Sequence, residues 1–225
     1  MFEFLMSQAV YKFVRGPLVW IAFLVCIVGS TYRIYSMISM AKKEKVVLPY
    51  LSLKYSLRSI LHWLIPFGSI NWRRHPVITI ITFLFHICLV FTPIFLLSHN
   101  ILWYESWGIS WWTLPEGTAD IMTLIVLFAC VFFFFRRIIS PEVKFVTFTS
   151  DYIILAIAFL PFLTGFLAYH QLLLPYRAMV ILHILFGEAM LIAIPFSRIF
   201  HMIFGWFTRA YTGSEFGMVR HAKDY

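Results

Sequence analysis

Five long runs of apolar residues constrain this chain more than any other feature of its sequence. Each run is close to the roughly 20 residues that an α-helix needs to cross the hydrocarbon core of a bilayer. The candidate spans are residues 17–40, 77–98, 119–135, 151–169 and 179–204. Only 12% of the 225 residues are charged, against about a quarter in soluble domains. The sequence therefore predicts one all-α integral membrane domain, residues 1–225, built as a bundle of five transmembrane helices.

The distribution of basic residues predicts how these helices are oriented. Lys and Arg cluster after the first span, before the second, between the third and fourth, and after the fifth, whereas His99–Thr118 contains neither. Because cytoplasmic loops are enriched in Lys and Arg, we expect an outer N-terminus and a cytoplasmic C-terminus. The formal charge of +8 is then a topology signal, and we expect no nucleic-acid partner. The first run lacks a small-residue cleavage site, so we expect no removable signal peptide.

Two cytoplasmic segments outside the spans have a distinct character. In Tyr50–Leu64, apolar residues recur at helical spacing among Lys54 and Arg58, which predicts a helix lying on the membrane surface. We expect Pro66 and Gly68 to end it. The tail, residues 205–225, is too polar to span and is available to a partner.

Histidines are the residues most informative about chemistry, because ionisable groups at membrane depth are costly and commonly functional. His86 and His99 lie on or just after the second span, and His183 and His201 lie on the fifth. The last two are 18 residues apart, which on one continuous helix is five turns and about 27 Å. That spacing predicts two sites stacked across the bilayer, each completed by a histidine of a facing helix. Axial imidazoles of this kind hold haem iron in helical bundles.

Depth in the membrane predicts the pairs: His99 with His183 on the outer side, and His86 with His201 on the inner side. His86 and His99 are 13 residues apart, about 3.6 turns, so they face differently on a regular helix. A kink at Pro93 would realign them, or His170 at the end of the fourth span would replace His99. Cys26, Cys88 and Cys130 form no CxxC motif, which argues against iron–sulfur ligation and covalent haem attachment.

Several neighbouring residues have two interpretations each. Gly187, four residues after His183, would let a porphyrin approach or a helix pack, and the same holds for Gly165. Arg198 would pair with haem propionates or mark the membrane boundary. Glu188 would relay protons or accept a hydrogen bond. Two other functional hypotheses stay open: a transporter that uses these histidines and Glu188, and a haem-free anchor for partner subunits.

The chain resembles the membrane cytochrome b (gamma) subunit of respiratory nitrate reductase from the second span onward. The similar stretches are LFHI around His86, YESW at Tyr104–Trp107, LP at Leu114–Pro115, RRIISPEVK at Arg136–Lys144, LHILFG at Leu182–Gly187 and PFSRIFH at Pro195–His201. This resemblance implies five helices, two haem b groups, quinol oxidation near the outer haem, and electron transfer to a cytoplasmic iron–sulfur subunit. It also implies a multi-pass protein of a bacterial or archaeal cytoplasmic (inner) membrane.

Two departures from that family point to a second resemblance. In that family the second ligand follows the first by ten residues, whereas His99 follows His86 by thirteen. That family also places a lysine beside its quinone, and this chain lacks it, with Ala119 near that position. The longer gap and the LSHN around His99 are similar to the cytochrome b subunits of the transmembrane redox complexes of sulfate reducers. The expected outer partner is therefore menaquinone or a periplasmic multihaem cytochrome c. The expected inner partner is an iron–sulfur protein docked on Tyr50–Pro76 and the tail, alongside other membrane subunits and lipid.

Overall fold

A computed structural model of the chain describes residues 7–44 and 46–225. Within these residues the secondary structure is entirely helical, with no strand. Five helices are long and apolar enough to cross a membrane. They are α1 (Gln8–Lys43), α4 (Pro76–Phe95), α6 (Glu116–Ile139), α8 (Thr149–Tyr169) and α9 (Tyr176–Phe196). The prediction of an all-α, multi-pass membrane protein is thereby confirmed.

Shorter helices connect and follow these spans. They are α2 (Leu53–Leu64), α3 (Ile70–Arg74), α5 (Leu97–Trp107), α7 (Pro141–Phe145) and α10 (His201–Ser214). A 3₁₀ turn, Arg198–Phe200, precedes α10, and a π-helical turn, Glu215–Val219, follows it. The predicted surface helix 50–64 corresponds to α2, which ends just before Pro66 as expected because proline cannot continue a helix.

The described residues divide into two compact units. The first comprises residues 7–19 and Ile81–Met190, and the second comprises residues 20–44, 46–80 and Leu191–Tyr225. In the first unit, α4 and α6 contribute a buried cluster of Phe85, Cys88, Val126, Ala129 and Cys130. Cys88 and Cys130 are therefore packed as small apolar side chains in this core, as buried free cysteines commonly are.

In the second unit, α2 packs against α10 through its small polar face. Ser56 and Ser59 are buried, and the Ser56 hydroxyl lies 3.0 Å from that of Ser214. The opposite face carries exposed leucines at helical spacing: Leu53, Leu57, Leu61 and Leu64. An amphipathic helix whose leucines are left exposed within its own unit of the described chain fits the predicted position at a membrane surface.

Two helix breaks differ from the sequence-based expectations. The predicted span 179–204 is not one helix: α9 ends at Phe196, Ser197 is extended, and His201 begins α10. The inference that His183 and His201 share one helix face five turns apart is therefore wrong. Pro195 explains the break, since it lacks an N–H and its ring crowds the preceding turn.

The second break separates His86 from His99. Leu96 is extended between α4 and α5, so the interruption falls three residues after Pro93, where a kink was expected. Residues 99–118, predicted as an outer loop, begin inside α5. This helix ends at Trp107, and the next residue, Gly108, caps it in a left-handed conformation. Glycine adopts that conformation without a Cβ penalty. His86 and His99 thus lie on different helices and need not share a helix face.

Candidate functional site

His99 of α5 and His183 of α9 lie beside each other in the first unit. Their ring centroids are 5.9 Å apart and the ring planes differ by 21°. This is the outer pair predicted from sequence. The break at Leu96 makes the approach possible, because it frees the direction of α5 from that of α4.

Each of these imidazoles is fixed by a backbone carbonyl. Nδ1–H of His99 donates to the Pro93 carbonyl at 2.8 Å, and Nδ1–H of His183 donates to the Pro161 carbonyl at 2.9 Å. A carbonyl only accepts hydrogen bonds, so Nδ1 carries the proton and Nε2 presents its lone pair. Metal-binding histidines are commonly held in this way by their second nitrogen. Burial also lowers the pKa of His99, and the hydrogen bond to Pro93 opposes this only in part.

The distance between the two ring centroids, 5.9 Å, is within the reach of two imidazoles that bind one metal. A metal–imidazole bond is about 2 Å and the ring centre lies about 1 Å beyond the nitrogen, so each ring centre lies about 3 Å from such a metal. No group of three or more His, Cys, Asp or Glu side chains could hold a metal in residues 7–44 and 46–225. An imidazole pair fits haem iron, for which the porphyrin supplies the other ligands.

Gly165 of α8 makes room for the His183 ring. A Cβ at this position would lie 2.9 Å from Cε1 and 3.0 Å from Nδ1 of His183. Real Cβ atoms are essentially never found so close to another atom, so any larger residue would displace the imidazole. Of the two interpretations of Gly165, the structure therefore supports close packing, and the group that packs there is the candidate ligand itself.

His86 and His201, the predicted inner ligands, are also hydrogen-bonded to backbone carbonyls through Nδ1. Nδ1–H of His86 donates to the Thr82 carbonyl at 2.7 Å, and Nδ1–H of His201 donates to the Arg198 carbonyl at 2.8 Å. Both side chains are exposed. His62 has an equivalent bond to Arg58, so this pattern alone does not identify a ligand. His86 lies in the first unit and His201 in the second, and their pairing stays a prediction.

His170, the alternative outer ligand, is engaged elsewhere. Its Nε2 lies 2.9 Å from a carboxylate oxygen of Asp120 at the start of α6. Beside it, the Tyr169 hydroxyl donates to Glu116 at 2.9 Å. His99, and not His170, is thus the histidine that contacts His183 in ring-to-ring geometry.

The remaining candidate residues fall into different environments. A Cβ at Gly187 would meet no atom within 4 Å, so packing against another helix does not require glycine there. Arg198 lies in the 3₁₀ turn, where its carbonyl accepts the bond from His201.

Glu188 is 5% exposed, and neither carboxyl oxygen has a hydrogen-bond partner among the described residues. An unpaired acid in an apolar helix is costly, and such acids are commonly functional.

Fold and site together define a multi-pass helical membrane protein with a close histidine pair between two of its helices. No model of a known protein family matches the chain. The chain is 35% identical over 215 residues to a protein of Nitratidesulfovibrio vulgaris (strain Hildenborough), an alignment that covers 93% of this chain and 95% of that protein. It belongs to the same family as that protein.

Proposed function

We propose that this protein is a dihaem b-type cytochrome subunit that carries electrons across the membrane within a larger oxidoreductase. The observation that supports it best is the His99–His183 pair, with rings 5.9 Å apart and Nδ1 of each engaged by a carbonyl. Two imidazoles so placed would be suited to hold one haem iron. When bound, haem iron would change its oxidation state by one electron at a time.

Two pairs of histidines would form two haem sites at different depths in the membrane. His99 and His183 would hold the outer haem, and His86 and His201 the inner one. Gly187 would face the outer porphyrin, and Arg198, three residues before His201, would pair with propionates of the inner haem. The substrate-converting site would lie on other subunits, so this chain would supply an electron path and, at its outer end, a contact for menaquinone.

We further propose a bacterial or archaeal cytoplasmic membrane, with the N-terminus outside and the C-terminus inside. The charge distribution along the chain supports this orientation. Menaquinone or a periplasmic multihaem cytochrome c would be the redox partner on the side of His99 and His183. A cytoplasmic iron–sulfur subunit, docked on Tyr50–Pro76 and the tail, would be the redox partner on the side of His86 and His201. In favour of that docking surface, α2 and α10, which belong to these two segments, pack against each other.

Substitution distinguishes the proposed outer ligands, His99 and His183, from His170, which was the alternative to His99. His99→Ala and His183→Ala should each remove the outer haem and leave about one b-type haem per chain. His170→Ala is the matched control, because this imidazole is bound to Asp120, and it should keep the wild-type haem content. Haem is counted as pyridine haemochrome on the purified protein. Unchanged haem in both the His99 and His183 variants would refute the ligand assignment.

A second candidate function has one observation in its favour: Glu188 is buried, and its carboxyl oxygens have no hydrogen-bond partner within residues 7–44 and 46–225. A transporter or proton-relay protein would use this acid to take up a cation or proton within the membrane. That function predicts a colourless protein that acts without redox partners. The haem count on the wild-type protein therefore distinguishes the two candidates directly.

A further inference from the structure

Arg33 is a charged residue on the apolar helix α1, inside the predicted first span, that the site described so far does not use. Its Nη1 donates hydrogen bonds to the Pro195 carbonyl at 2.8 Å and to the Ser197 carbonyl at 3.0 Å. Its guanidinium carbon lies 4.4 Å from the centre of the Phe200 ring, within cation–π range. Arginines within membrane spans commonly bind backbone carbonyls, because an unpaired charge there is costly.

The carbonyls that Arg33 binds are those exposed by the break after α9. The last carbonyls of a helix have no partner within the helix and need an outside donor. Here the chain turns extended at Ser197 and continues as the 3₁₀ turn Arg198–Phe200. Arg33 therefore binds one carbonyl before the interruption and one within it, and its guanidinium lies over the ring of the buried Phe200 at the end of the turn.

Gly29, one turn before Arg33 on α1, allows this approach. A Cβ at Gly29 would lie 2.8 Å from Cβ and 2.9 Å from Cγ of Pro195. The proline that breaks α9 is thus in direct contact with α1 at a position where only glycine fits. Gly29 and Arg33 together form a two-residue brace, which we name the α1 brace.

The segment that the α1 brace holds leads directly to His201. Phe200 is 2% exposed, and His201, the next residue, begins α10 with its Nδ1–H bonded to Arg198 inside the turn. The path of residues 196–200 therefore sets the direction of the His201 imidazole. Since α9 and α10 are separate helices, helix periodicity alone does not fix that direction.

We propose that the α1 brace positions His201 for ligation of the inner haem, with Arg33 as a positioning residue that acts through residues 195–200. This inference rests on the proposed function, because it takes His201 as a haem ligand. It adds the first span to the inner site, although that span carries no histidine. Arg33 does not touch the ligand nitrogen and acts only by fixing the backbone before it.

The test compares substitutions in the α1 brace with the same substitutions elsewhere on α1. Arg33→Met should lower the occupancy of the inner haem, or shift its midpoint potential and low-spin g-values, and leave the outer haem unchanged. Arg15→Met is the matched control, since Arg15 binds Glu105 in an exposed ion pair. Gly29→Ala should act like Arg33→Met. Gly16→Ala should leave the inner haem unchanged, because a Cβ at Gly16 meets nothing within 4 Å.

Two further measurements keep the inference testable on its own. Arg33→Lys keeps the charge but not the planar fork, so it should restore inner-haem occupancy only in part. Hydrogen exchange of the backbone amides of residues 197–204 should become about tenfold faster in Arg33→Met, whether or not haem is bound. A wild-type protein without haem would refute the proposed function, yet this exchange would still test the brace. Wild-type exchange rates and inner-haem signals in Arg33→Met and Gly29→Ala would overturn the inference.

Discussion

At the scale of single residues, hydrogen bonds to backbone carbonyls do most to define the site. His99 and His183 each direct Nδ1–H to a carbonyl of a proline, Pro93 and Pro161, that lies inside a helix. These bonds hold the rings in one tautomer and one direction. Residue type and depth predicted four histidines as ligands, but these carbonyl partners could not be predicted, because they depend on how the helices pack.

Gly165 offers a residue-scale prediction. Gly165→Ala should push the His183 ring away from α8, because the new Cβ would lie 2.9 Å from Cε1. We expect the outer haem to be lost from most chains, and unfolding to cost about 1–3 kcal/mol less, as in overpacked cores. Haem content and thermal unfolding in detergent measure the two effects.

Gly187 supplies the contrasting control, because a Cβ there meets nothing within 4 Å. Gly187→Ala should leave the unfolding temperature of the haem-free protein unchanged and weaken only the binding of the outer haem. Equal haem content in wild type and Gly165→Ala would mean that the position of the His183 ring is not important for the site.

At the scale of helices, apolar length predicted five spans correctly because a bilayer sets a minimum length for each. Periodicity did not predict the two interruptions. A proline in a pattern otherwise suited to a helix, such as Pro93 or Pro195, marks a region of weakness but not the residue at which the chain leaves the helix. The error at Ser197 followed from that ambiguity, since residues 179–204 remain apolar across the break. Arg33, whose partners are carbonyls at this break, was missed for the same reason.

The contact between α2 and α10 gives a prediction at the helix scale. A Cβ at Gly213 of α10 would collide with the Ser59 side chain and the Tyr55 carbonyl. Gly213→Val should therefore separate α10 from α2 and expose the segment around Ser59 to protease. Gly205→Val on the same helix is the matched control, because a Cβ at Gly205 meets nothing within 4 Å.

Limited proteolysis of the detergent-solubilised protein, followed by mass spectrometry of the fragments, measures that difference. The Asp224 carboxylate also joins the two helices through ion pairs with Arg58 and Arg209, at 3.5 Å and 2.8 Å. Cleavage rates in Gly213→Val equal to those in Gly205→Val would show that these ion pairs hold α2 without close helix packing.

At the scale of the whole molecule, the proposed electron-transfer role belongs to a helical protein with five helices able to cross a membrane. The fold follows from composition and from the lengths of the apolar runs, since no soluble core could bury so many apolar residues. The proposed role depends on haem, and the observation that supports it best is the pair of imidazoles whose ring centroids are 5.9 Å apart.

The measurement that tests the central claim most directly is a dithionite-reduced minus oxidised absorption spectrum of the purified protein, with haem quantified as pyridine haemochrome. The dihaem cytochrome proposal predicts a b-type spectrum and about two haems per chain, one for each histidine pair. A colourless protein that is folded and keeps its helical content would contradict the account and favour the transporter or the haem-free anchor.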